Sequence, residues 1–172
     1  RPKRALAQFE LHGDHIRALH DHWRTAHPEA GPVYWSARSW SQLVWQPVYL
    51  TLLGVHLSGL VPRLGRFGQS LHAGVVSGFS LAAGHAREVT LSDPIGLAAR
   101  QLRAYLRRQW REATAVFPLH AKVADRLAAD FLFAALLKVQ QLTGMGNTDL
   151  RALAARWLLA ADLRGCCALV AV

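Results

Sequence analysis

The sequence predicts a mainly α domain, a helical bundle with a small β-hairpin insertion, and leaves an α+β arrangement as the alternative. Three observations lead there. Apolar residues recur at three- and four-residue steps along most of the chain. A single stretch, between Ala73 and Leu91, is instead rich in glycine and β-formers. Prolines and glycines fall between the periodic segments, where helix starts and stops place them. With 172 residues, 52% hydrophobic and 18% charged, the chain reads as a single domain over 1–172 with one sizeable core. It opens on Arg1 rather than Met and stops at Val172, so truncation at both ends is expected.

The first helix is expected over Ala7–His27, with Leu11, Ile16, Leu19 and Trp23 on its apolar face and Pro28 as its stop. His12, His15, His20, His22 and His27 crowd this helix, but metal-binding histidines need converging carboxylates or thiolates, so surface or core histidine is the favoured reading. Turn chemistry in His27–Pro32 leads to a second helix from about Ser36 to Leu60, which Pro47 is expected to kink or restart. Its stretch Leu43–Val61 is nearly apolar all round. Gln46, Pro47, His56 and Ser58 interrupt it, so it reads as a buried central helix and not a membrane span.

After Pro62 a short basic helix through Arg63 and Arg66 is expected to lead into Gln69–His72. The hairpin is placed at Ala73–Leu81 and Arg87–Leu91, with Gly84 between the strands. Asp93 and Pro94 then form a helix start, Asp as N-cap and Pro in the first turn, and the helix runs to about Ala115. Arg100, Arg103, Arg107 and Arg111 recur on it at three- and four-residue steps and make one basic stripe, either a solvated face or a dock for an anionic ligand or redox partner. A long helix over Pro118–Leu142 ends at Gly144-Met145-Gly146. Asp130 stands inside its apolar run, which predicts a buried carboxylate paired with an arginine or orienting a site residue. The last helix, capped by Asn147 or Thr148, has Leu150, Leu153, Trp157 and Ala161 on its apolar face and delivers Cys166-Cys167.

These two are the only cysteines. Adjacent thiols cannot close a relaxed disulfide. They can offer two soft thiolates to zinc, copper(I) or an iron-sulfur cluster, although simple packing as small hydrophobes is the alternative. Two cysteines with no signal-peptide pattern make cytoplasmic the expected location. The formal charge of +9 favours anionic partners. No zinc finger, RNP sequence, P-loop or GxGxxG fingerprint is present, so specific nucleic-acid binding is a minor reading, as is peripheral contact with a membrane surface. Either would make association strongly salt-dependent. Trp35, Trp40 and Trp45 recur every fifth residue, which does not give one helical face and favours packing roles. Arg38 and Gln46, polar among these aromatics, are pocket candidates.

Several segments together resemble one family. His22-Trp23, Ala26-His27-Pro28-Glu29-Ala30-Gly31, Tyr34-Trp35, Arg38-Ser39-Trp40 and Trp45-Gln46-Pro47-Val48-Tyr49 are similar to the N-terminal half of FhuF-like siderophore ferric iron reductases. Ala129-Asp130-Phe131-Leu132 and Arg164-Gly165-Cys166-Cys167 resemble its later parts. The resemblance implies one-electron reduction of a ferric siderophore, an external electron donor that the sequence does not identify, and a C-terminal [2Fe-2S] cluster. In the family the cysteine pair is followed by a CxxC. Here only Cys166 and Cys167 match, which implies a cluster that is incomplete or shared between subunits, or else a ferric-siderophore or partner-binding module without a cluster. Arg38, Trp45, Gln46, Arg100, Arg103 and Arg107 are the residues expected to hold an anionic or aromatic chelate by charge and stacking.

Overall fold

The computed structural model describes residues 11–72, 74–81, 86–88, 93–163 and 165–166. Its helices are α1 (Gly13–Ala26), α2 (Gly31–Leu57), α3 (Pro94–Thr114), α4 (Ala121–Thr143) and α5 (Asn147–Ala160). Four short strands lie between α2 and α3: β1 (Leu60–Pro62), β2 (Phe67–His72), β3 (Val75–Leu81) and β4 (Ala86–Glu88). The domain is thus mainly α with a small antiparallel β element.

The helix ends follow from local chemistry. Asp93 accepts a hydrogen bond from the Gly96 amide at 3.0 Å and Pro94 opens α3, as the sequence predicts. Gly144, at φ 72°, closes α4 in the left-handed conformation that glycine adopts without penalty. Three helix starts differ from expectation. α2 begins at Gly31, earlier than Ser36, because Pro32 fits a first helical turn, and Pro47 lies within this helix instead of starting a new one. α4 begins at Ala121, not Pro118, after His120 caps it by accepting from the Lys122 amide. The cap position of α5 is Gly146, not Asn147 or Thr148; the Asn147 side chain instead accepts from Gln140 of α4.

Helix α2 forms the centre. Trp40, Leu43, Val44, Val48 and Leu52 are buried along it, and α1, α3 and α4 all pack against it. The inward face of α4 is largely alanine, with Ala124, Ala128, Ala129 and Ala135 buried, so its backbone approaches α2 closely. At that contact the Trp40 indole donates to the Ala124 carbonyl at 3.0 Å. Asp130 is exposed on the outer side of the same helix. The expectation of a buried carboxylate is corrected: the run around Asp130 is apolar in sequence, but the helical period turns residue 130 away from the face made by Ala128 and Leu132.

The expected hairpin partners are also corrected. β3 forms, but it pairs with β2, in the segment expected to lead out of a basic helix, while β4 pairs with β1. Leu60 faces Glu88 and Phe67 faces Leu81 in two separate two-stranded antiparallel sheets, with the short 3-10 turn Leu64–Arg66 between β1 and β2. The expected strand residues Val89–Leu91 lie outside the described residues. A bulge between Gln69 and Leu71 sets Ser77 and Gly78 against Ser70, with Gly78 at φ 73° as such a bulge requires.

Buried polar groups lock the β2–β3 ribbon to the helices. Gln69 of β2 donates to Gln46 of α2 at 3.1 Å and accepts from the Tyr105 hydroxyl of α3 at 3.1 Å. The Gln42 carbonyl oxygen accepts from the Val76 amide of β3 at 3.0 Å. All three glutamine side chains are buried, and a buried amide stripped of partners costs about 1–3 kcal/mol. Replacing Gln69 by leucine removes the donor of Gln46, and thermal or urea unfolding of Q69L is expected to register a loss of about 1–3 kcal/mol with helix content unchanged.

Candidate functional site

α5 ends in a backbone arrangement that usually calls for glycine. The Leu163 amide donates to the Leu158 carbonyl at 2.8 Å and the Asp162 amide to the Leu159 carbonyl at 3.2 Å, the paired bonds of a Schellman cap. Leu158 and Leu163 are both buried and complete its apolar contact. The left-handed position is filled by Asp162 at φ 59°, the only non-glycine positive φ among the described residues. An L-residue there costs roughly 1 kcal/mol.

The Asp162 side chain points to α3. Its Oδ2 atom accepts from Arg103 Nη2, and Arg107 Nη2 lies 3.7 Å from the same oxygen. Arg111 stands one helical step further on, with no ion pair to any described residue. Together α3, the start of α4 and the turn after α5 enclose a cleft of about 570 Å³, within the range of small-molecule sites. Arg103, Arg107 and Arg111 line it, Trp110 contributes aromatic surface, and the buried Trp40 and Leu163 lie at its wall. Trp110 is fixed by donating to the Leu119 carbonyl at 3.2 Å. Asp125 of α4 also lines the cleft. Its carboxyl is held above the usual range, first by partial withdrawal from water and then by the Asp162 charge, with Arg107 and Arg103 opposing.

The predicted site residues fall in separate places. Arg103 and Arg107 meet in this cleft, joined by Arg111. Arg100, on the same stripe, is exposed and does not line it. Arg38 is exposed near the start of α2, with its guanidinium 4.8 Å from the centre of the Trp23 ring. Trp45 lies in a different groove, apolar and about 540 Å³, with Tyr49, Leu53 and Phe79. Gln46 lines the base of that groove, and its side-chain oxygen accepts from Gln69. Cys166 is half-buried against the core, and its amide donates to the Leu163 carbonyl at 3.2 Å, one turn from the cleft. Cys167 lies outside the described residues. No family model and no solved structure matches the chain.

Three contributors were not singled out from the sequence as site residues: Trp110, Asp125 and Asp162. Asp162 carried one usable signal, an aspartate just past the last apolar position of α5. Among the described residues no group of three or more His, Cys, Asp and Glu side chains converges as a metal site, those of the α1 histidines included. No helix among them is long and apolar enough to cross a membrane.

A second contact holds α5 in place. The Trp157 indole donates to His56 Nε2 at 2.8 Å, which requires a neutral imidazole protonated on Nδ1. Burial first and the nearby Arg156 charge second lower the His56 pKa below its ordinary 6.5. His20, stacked on Phe117, is lowered as well, chiefly by burial. The folded state thus binds protons less readily than the unfolded chain at both groups, so their contribution to stability is complete above about pH 6.5 and is lost as pH falls through the lowered values. Unfolding free energy measured from pH 8 to 5 is expected to drop on the acid side, and more gently in H56Q, which keeps an acceptor for Trp157 without titrating.

Proposed function

We propose that the protein is a ferric-siderophore reductase, acting in the cytoplasm, which binds an anionic ferric chelate in the Arg103–Arg107–Arg111 cleft near Cys166. The observation that carries this reading is the nearness of two features the sequence offers separately. Leu163 lines the cleft, and the Cys166 amide donates to its carbonyl at 3.2 Å.

In this reading the arginines draw in the chelate and fix its orientation, since guanidinium groups pair with anionic oxygens in defined directions. Trp110 presents flat apolar surface to its organic frame. Cys166 and Cys167 offer two thiolates, half of the set that a [2Fe-2S] cluster takes. The other donors must come from a second copy or from residues outside this sequence. Such a cluster supplies single electrons, passed on from an external reductant, and conversion of Fe(III) to Fe(II) loosens hard oxygen ligands because the lower charge suits them less.

The half-set of thiolates also favours a second reading, a module that binds ferric siderophores or a partner without reducing them. Visible absorption of anaerobically purified protein, with iron and acid-labile sulfide assayed on the same sample, separates the two. Cluster bands that vanish in a C166S/C167S variant, together with ferric-siderophore reduction lost in that variant, are the expected result. A colourless, iron-free protein that still binds a ferric siderophore overturns the reductase and leaves the binding module.

A further inference from the structure

We infer that Asp162 is a built-in competitor for the cleft, and that the ligand it gives way to is a small polycarboxylate. The inference rests on the reading of the cleft as a ligand site and not on iron-sulfur chemistry. Asp162 occupies a backbone position suited to glycine, and in return forms an ion pair with Arg103 and Arg107. That pair is half exposed, at 35% for Arg103 and 58% for Asp162, so it is screened by water and salt and is a weak reason to retain a strained aspartate. What the side chain does accomplish is to set a carboxylate against two guanidinium groups inside a cleft that is otherwise open.

The ligand class follows from spacing and charge. Arg103, Arg107 and Arg111 lie four residues apart on α3, about 6 Å per step along the helix. Their span of about 12 Å exceeds a single phosphate and suits a molecule with separated anionic arms. Asp162 covers the Arg103–Arg107 step and leaves Arg111 open, so a first arm can dock on Arg111 while a second displaces Asp162. The Asp162 side chain, exposed at 58%, can then swing into water with little loss. Asp125 faces the same space. Its negative charge disfavours dense polyphosphates more than a molecule with separated carboxylates.

Titration calorimetry on the whole chain at low salt, with the iron-free tricarboxylate tricarballylate as probe, tests this. Saturable binding is expected, with inorganic phosphate much weaker and the neutral triamide of the probe silent. Asp162→Asn is expected to bind tricarballylate about tenfold more tightly, since removing an internal competitor raises the competent fraction. Asp162→Gly, which also relieves the left-handed backbone, must behave the same way and so guards against a folding artefact. Arg107→Gln and Arg111→Gln are each expected to weaken binding about tenfold, and Arg151→Gln, exposed on α5 outside the cleft, leaves it unchanged. Absence of tricarballylate binding in folded Asp162→Asn protein overturns the inference, as does equal affinity for phosphate or no gain in either Asp162 variant. Loss of the cluster reading leaves this titration untouched, because neither probe nor readout involves iron. A chain that reduces ferric chelates yet ignores tricarballylate overturns this inference and leaves the reductase reading standing.

Discussion

The structure depends on hiding three glutamines. Gln42 and Gln46 project from the central helix into the core, and Gln69 meets them from β2. A buried amide without partners is expensive, so the ribbon is acceptable only in the register that gives Gln46 the Gln69 amide, gives Gln69 the Tyr105 hydroxyl and gives Gln42 the Val76 amide. Apolar packing alone would tolerate several placements of so short a ribbon. The glutamines select one, and by reaching Tyr105 they also fix α3, the helix that carries the arginines.

With α3 fixed against α2, the remaining helices set what faces its basic stripe. α4 comes close through its alanine face and brings Asp125 to the cleft, while α5 is held by the Trp157–His56 bond and ends in the Schellman turn that presents Asp162. The cleft therefore has three guanidinium groups facing two carboxylates, one of which pairs with Arg103 and lies close to Arg107. A balance of this kind suits reversible capture of an anion. An uncompensated arginine row would hold polyanions indiscriminately, and a fully paired row would hold nothing.

Much of the helical framework was legible because its signals are local. Asp93-Pro94 and Gly144 mark helix ends by their own backbone chemistry, and the apolar spacing of Ile16, Leu19 and Trp23 sets the inward face of α1. β2 was hidden because Phe67, Gly68, Gln69 and Ser70 are all buried, which erases the alternation that marks a half-exposed strand. Asp130 was misplaced because an apolar run was read without its helical phase. At the site, the arginine stripe could be read from spacing within one helix. Its opposite wall could not, since Trp40, Asp125 and Asp162 come from three other parts of the chain and meet Arg103 only through tertiary packing. Arg38 and Trp45 show the converse, near in sequence yet in separate surroundings, because two turns of α2 separate Arg38, over Trp23 of α1, from Trp45, beside Tyr49 and Phe79.

Under the proposed function, the arginine cleft and the Cys166 thiol belong to one site. Residue-resolved alkylation of Cys166 and Cys167, followed by mass spectrometry with and without a saturating anionic ferric siderophore, tests it most directly. Bound chelate is expected to slow modification of these thiols, and Arg107→Gln to abolish the protection. Unchanged alkylation rates with the chelate demonstrably bound would contradict it and separate the cleft from the cysteines.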